Sequence, residues 1–151
     1  MASEKDLLLK QTREAFNGNN EMSLHAALRK ITQEEASWEP GAGMRTIEQI
    51  VRHLAWCKGW YCEQGFGRPM LMVDEKAASI AEALELLAAA QQTLMKCLQA
   101  CSEGALERPI PTQFHGDSAA HFFWIMLKHD IWHGGQIKTR RRAYRGRQPA
   151  V

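Results

Sequence analysis

The segment IAEALELLAAAQQTLMKCLQAC, residues 80–101, sets Ile80, Leu84, Leu87, Gln91, Leu94, Leu98 and Cys101 at alternating intervals of four and three. In an α-helix such positions lie above one another on one face. The alternation is that of a seam in a helix packed at a shallow angle against its neighbours. Asp74, a good N-cap residue, marks the expected start of this helix.

The rest of the chain reads the same way on either side. A first helix is expected over residues 4–16, stopped by the breaker cluster Asn17, Gly18, Asn19 and Asn20. A short helical piece follows Ser23, with Leu24, Ala27, Leu28 and Ile31 on one face, and residues 39–43 form a loop. Thr46 with Gln49 three residues on is a capping-box pattern, in which each side chain satisfies a backbone N–H at the other's position. Behind it Ile47, Ile50, Leu54, Cys57 and Tyr61 form an apolar stripe, ended by Gly65 and Gly67 with Pro69 beyond. Residues 102–116, with Pro109 and Pro111, form a loop, and a last long helix is expected over 117–142. Strand-like alternation is missing throughout. The expectation is an all-α fold, a four-helix bundle with a short extra helix after helix 1, as a single domain over residues 1–151.

A chain of this length buries a core without disulfides or zinc staples. No apolar run approaches the roughly 18 residues that cross a bilayer. The charged opening, followed by only three leucines, is not the pattern of a signal peptide. A cytoplasmic protein without membrane contact is therefore expected. Cys57, Cys62, Cys97 and Cys101 lack zinc-knuckle spacing and read as buried small hydrophobes in a reducing compartment. Charge is uneven. Lys138, Arg140, Arg141, Arg142, Arg145 and Arg147 close the chain without an acid, while the remainder holds 13 basic and 17 acidic residues, a net of −4. A basic end can contact nucleic acid, or can complement the dipole at the end of a helix. The second reading is preferred, because no nucleic-acid motif accompanies the tail.

Bundles build metal sites from side chains on facing helices. His129 and His133 are four apart and share one face, an arrangement able to hold one ion between two imidazoles. Phe122, Met126 and Ile137 lie within about 40° of His133 on the helical wheel. The pair therefore interrupts an apolar stripe, where buried imidazoles need partners for both ring nitrogens. The opposite side of this helix is also apolar, through Ala120, Phe123, Leu127 and Ile131. One stripe is expected to line the core and the other a subunit contact, as in a homodimer. His53 sits at the margin of the stripe behind Thr46, with Gln49, Trp56, Cys57 and Trp60 around it. Antiparallel packing could bring it to the pair, or it could be a core-margin histidine bonded to another side chain. His25, His115 and His121 read as surface or loop residues.

Two stretches carry a resemblance: Met44-Arg45-Thr46-Ile47-Glu48-Gln49-Ile50-Val51-Arg52-His53-Leu54 and His129-Asp130-Ile131-Trp132-His133-Gly134-Gly135-Gln136-Ile137. With a histidine in the second bundle helix and H-x3-H-x-G-Q-I in the last, the chain resembles the DinB/YfiT-like bundle family. These are metal-binding proteins named for damage inducibility, unrelated to the DNA polymerase that shares the name. The resemblance covers nearly the whole chain and implies His53, His129 and His133 as three ligands to one divalent ion.

Three neutral imidazoles leave coordination positions for water or substrate, a catalytic rather than a structural arrangement. Zinc or nickel suits such ligands, and either can make bound water or a thiol nucleophilic at neutral pH. Gln49 and Gln136 are candidates to orient the rings from behind. Trp56, Trp60 and Trp132 flank the ligands, as pocket walls or as ordinary core and interface aromatics. Arg45 and Arg52 could bind an anionic substrate or be solvated charges. Several relatives are similar to thiol transferases that activate a low-molecular-weight thiol, and others resemble metal-dependent hydrolases or isomerases. The resemblance thus implies an enzyme acting on a small molecule, thiol transfer first and hydrolysis second. A metal-stabilised stress or binding module without turnover, touching nucleic acid through the basic tail, is the reading outside enzymology.

Overall fold

The computed structural model describes residues 1–69, 79–110 and 117–147. Among these the helices are α1 (Glu4–Asn17), α2 (Leu24–Leu28), α3 (Gln33–Ser37), α4 (Ile47–Phe66), α5 (Ile80–Ala100), α6 (Glu103–Leu106) and α7 (Ala119–Gly146). No strand occurs among the described residues. One isolated bridge, Pro109 to Ser118, brings the end of the α6 region to the start of α7. The four long helices α1, α4, α5 and α7 form the bundle, with α4 against both α5 and α7, and α1 against α7 and α5.

Each helix starts where a hydroxyl residue can accept a bond from an otherwise unpaired backbone N–H. Ser3, Ser23, Thr32, Thr46, Ser79, Ser102 and Ser118 are the N-caps. The capping box expected at Thr46 and Gln49 is present, and α4 ends on Gly67, whose φ of 63° suits a residue without Cβ. Two expectations shift. The seam helix opens at Ile80 behind Ser79, not at Asp74, which lies outside the described residues, as do Pro111 and His115. The segment after α2 carries a further helix, α3, whose signature Thr32-Gln33-Glu34-Glu35 forms a full capping box.

The buried apolar residues form two clusters. One gathers Leu8, Cys62, Leu94, Leu98, Phe122, Phe123, Met126 and Leu127, and the other Leu24, Ile47, Ile50, Leu54, Ala83, Leu87 and Ile137. Along α4, α5 and α7 the boundary between them is marked by buried polar side chains: Lys58, Gln91 and Asp130. Gly134 of α7 lies close to α2, and a Cβ there would meet Leu24 and Ala27 at 3.9 Å.

The two-sided apolarity of α7 has an internal cause. Ala120, Phe123 and Leu127 are buried within the same chain, where α1 also packs, and of this stripe Ile131 is exposed. The basic end of α7 is likewise engaged. Arg141 donates to Glu35 and to the carbonyls of Ala27 and Arg29, Arg145 donates to Glu35, and Lys138 reaches Glu21. Arg147 lies over the rings of Trp38 and Tyr144. These cations bind α7 to the α2–α3 region rather than forming a free basic arm. No helix among the described residues is long and apolar enough to cross a membrane.

Candidate metal centre

His53 comes from the middle of α4, and His129 and His133 from successive turns of α7. Where these helices pack, the three rings converge edge to face, with centroids 5.2 Å apart for His53–His129, 5.1 Å for His53–His133 and 4.4 Å for His129–His133. One ring nitrogen of each lies within 4.8 Å of those of the other two. Nitrogens bound to one ion at about 2.0–2.1 Å sit roughly 3–4 Å apart, so the cluster needs only side-chain adjustment to close on a cation. Among the described residues it is the one group of three or more such ligands.

The electrostatics fit that role. Burial, with the positive field of Arg45 and the His133 ring, pushes the His53 imidazole down to about 4. His129 is pushed down to about 3 by burial, by His133 and His53, and by Lys58 and Arg45. His133 is lowered as well, chiefly by burial. All three are neutral at physiological pH, the form that ligates a metal. His133 Nδ1 is 2.8 Å from Gln136 Oε1, which can only accept, so Nδ1 carries the proton and Nε2 presents its lone pair. That Nε2 lies 3.0 Å from His129 Nε2. In that contact the His129 Nε2–H donates to the His133 lone pair, a proton that a bound ion would replace; three neutral imidazoles are a donor set that suits a divalent first-row ion.

Cys57, one turn beyond His53, places Sγ 3.7 Å from both nitrogens of that ring. Burial pushes its thiol up to about 11, and Cys57 is not among the side chains whose donor atoms converge.

A cavity of about 410 Å³ opens beside the histidines, lined by Met44, Arg45, His53, Trp132, His133 and Arg140 among others. Trp132 is 64% exposed and tilts against His133 at 5.1 Å. Trp56 and Trp60 do not line this cavity; they stack on each other at 5.6 Å, and Trp60 meets Tyr61 edge-on. Gln49 also departs from the expectation, because its Oε1 accepts from the Thr46 N–H at 2.8 Å in the α4 capping box. Arg52 is buried, paired with Glu48 at 3.2 Å and donating to the Ser79 carbonyl at 3.5 Å, so it braces α4 against the start of α5. Arg45, by contrast, faces the cavity. His25 and His121 are exposed and away from the cluster.

Sequence reading passed over the Lys58–Asp130 pair. Lys58 Nζ donates to Asp130 Oδ2 at 2.7 Å, and both side chains are essentially inaccessible. The pair joins α4 to α7, the helices that carry the ligands, and Asp130 is next in chain to His129. Burial raises the Asp130 carboxyl and Lys58 counters the rise. The signal was available: Lys58 follows Leu54 by four residues and Asp130 follows Leu127 by three, so both charges fall on buried faces.

A family model described as the DinB superfamily matches residues 19–137. No curated protein and no solved structure matches the chain. The matched region runs from just before α2 through both histidine turns of α7, and so contains all three ring donors. On that match, and on the helical bundle built around the histidines, the chain belongs to the DinB superfamily.

Proposed function

We propose that this protein is a metal-dependent enzyme in which one divalent ion, zinc or nickel, held by His53, His129 and His133, serves the transfer of a low-molecular-weight thiol to an electrophilic small molecule. The observation that carries the reading is the convergence of three neutral imidazoles, from two helices only, beside an open cavity. Structural zinc is normally closed by four protein ligands, and here the protein offers three. When bound, such an ion supplies Lewis acidity that makes a coordinated thiol or water nucleophilic near neutral pH.

The chain's own residues do the rest. Gln136 fixes the tautomer of His133 and turns its lone pair inward. Lys58 and Asp130 hold α4 and α7 in register so that His53 stays within reach of the α7 pair. Trp132 and Met44 offer apolar wall to a substrate.

Elemental analysis of the purified protein tests the centre. About one equivalent of zinc or nickel in the wild type, and loss of it in His129→Ala, is expected. Turnover is tested with cysteine or glutathione and an aromatic halide electrophile, following thiol consumption with and without metal. Metal-dependent consumption abolished in His129→Ala supports thiol transfer. Ester or amide hydrolysis without thiol turnover would replace this reading by the hydrolase one, since the same donor set can activate water.

A further inference from the structure

The cavity beside the histidines has a charge character that the metal centre alone does not require. Its lining includes two guanidinium groups, Arg45 and Arg140, and no carboxylate. The two arginines differ in how they are held. Arg140 is anchored: Nε donates to the Arg45 carbonyl at 2.8 Å, and Nη1 donates to the Gln136 carbonyl at 3.4 Å. Arg45 lends only that carbonyl. Its guanidinium has no hydrogen-bond or ion-pair partner among the described residues, although Glu48 lies three residues on and is engaged by Arg52 and Gln33. The backbone beneath Arg45 is fixed, because the next residue, Thr46, caps α4.

A continuous chain of contacts therefore runs from the metal ligands to the cations: His133 to Gln136 by side chain, Gln136 to Arg140 by carbonyl, Arg140 to Arg45 by carbonyl. The same cavity is lined by two large apolar side chains left in solvent, Met44 at 51% and Trp132 at 64% exposure. An apolar pocket with a few convergent polar groups is how proteins fix the orientation of a small ligand. Guanidinium is the group best shaped to hold a carboxylate, sulfonate or phosphate through two parallel bonds.

We propose that this cavity selects substrates bearing an anionic group, which Arg45 and Arg140 hold at one end while the thiol end reaches His53, His129 and His133 and the apolar body lies on Trp132 and Met44. This rests on the proposed thiol-activating centre and adds to it the substrate class, a small anionic thiol.

The test uses protein loaded with cobalt(II), whose absorption changes when a thiolate sulfur binds. Two probes of the same thiol arm are titrated: 2-mercaptoethanesulfonate, whose sulfonate is a poor metal ligand, and neutral 2-mercaptoethanol. Cobalt content is measured on the same samples. The expected result is at least about tenfold tighter binding of the sulfonate at low salt, the scale of one charge-assisted contact. The preference falls to less than about threefold in Arg45→Gln, which keeps one cobalt per chain. Arg140→Gln is the second variant, and Arg142→Gln, on the same helix but not lining the cavity, is the control that keeps the preference. Equal affinity for the two probes, binding of neither, or a preference unchanged in both cavity variants overturns the anion site while full cobalt loading leaves the metal centre standing. Failure of the wild type to take up cobalt overturns the centre itself, and the substrate class with it.

Discussion

Replacing Lys58 by Met should destabilise the protein by about 3–5 kcal/mol, the cost of leaving one partner of a buried ion pair alone. The geometry argues for the upper part of that range. The ammonium is 1% exposed, the carboxylate 0%, and a single bond of 2.7 Å joins them. Asp130 Oδ1 has no hydrogen-bond partner among the described residues, so no second donor is in place to take over the charge. Methionine fills most of the lysine volume, which keeps a cavity term small. One escape limits the loss. Burial already raises the Asp130 carboxyl, and without Lys58 it rises further and takes up a proton. A carboxyl whose folded pKa is raised contributes stability below its unfolded value of about 3.9, and loses it as pH rises through the folded value. The difference between wild type and Lys58→Met should therefore be smaller at pH 5.5 than at pH 8. Urea unfolding of the metal-free proteins, followed by circular dichroism, measures both quantities, and a fall in melting temperature of about 6–20 °C should accompany the loss. Lys58→Met/Asp130→Leu removes both charges and should return to within about 1 kcal/mol of wild type. A single variant costing less than about 1 kcal/mol, or a double variant as unstable as the single, would refute the view that this pair is a desolvated contact between the two ligand-bearing helices.

Gln136→Leu should weaken metal binding by about 10–100-fold, because His133 loses the acceptor that fixes its tautomer; competition with a chromophoric chelator reads the change. Gln49→Leu should instead lose up to about 1 kcal/mol of stability from the α4 cap, with metal affinity held within about threefold. Glu35→Ala removes the carboxylate that Arg141 and Arg145 share, leaving the buried Arg141 guanidinium with the carbonyls of Ala27 and Arg29 alone; a loss of about 3 kcal/mol in urea is expected. The metal-free protein should lose stability as pH falls from about 6.5 towards 4. Over that range the unfolded chain protonates its histidines, while the folded one keeps His53 and His129 neutral down to about 4 and 3. Thermal melts between pH 7.5 and 5 check the sign, and a variant with glutamine at positions 53, 129 and 133 should show a flatter profile.

Much of the architecture is a local property and could be read along the chain. The interval pattern in α5, the Thr46–Gln49 box and the breakers after Phe16 and at Gly67 each act within a turn or two, where sequence distance and spatial distance nearly coincide. The capping box of α3 was equally local and was overlooked because five helical residues carry little periodicity. The His129–His133 pair was legible for the same reason, as was the reach of Gln136 to His133. Tertiary structure decided what depends on which faces meet. It brought His53 to the α7 pair, set Arg52 on the Ser79 carbonyl at the start of α5, left Arg45 facing the cavity, and buried Ala120, Phe123 and Leu127 of the outer α7 stripe within the chain. It also buried Lys58 against Asp130 across 72 positions of sequence. No periodicity encodes such pairings, because helix geometry fixes only which residues share a face, while the rotation and register of one helix on another come from the summed packing of the whole bundle.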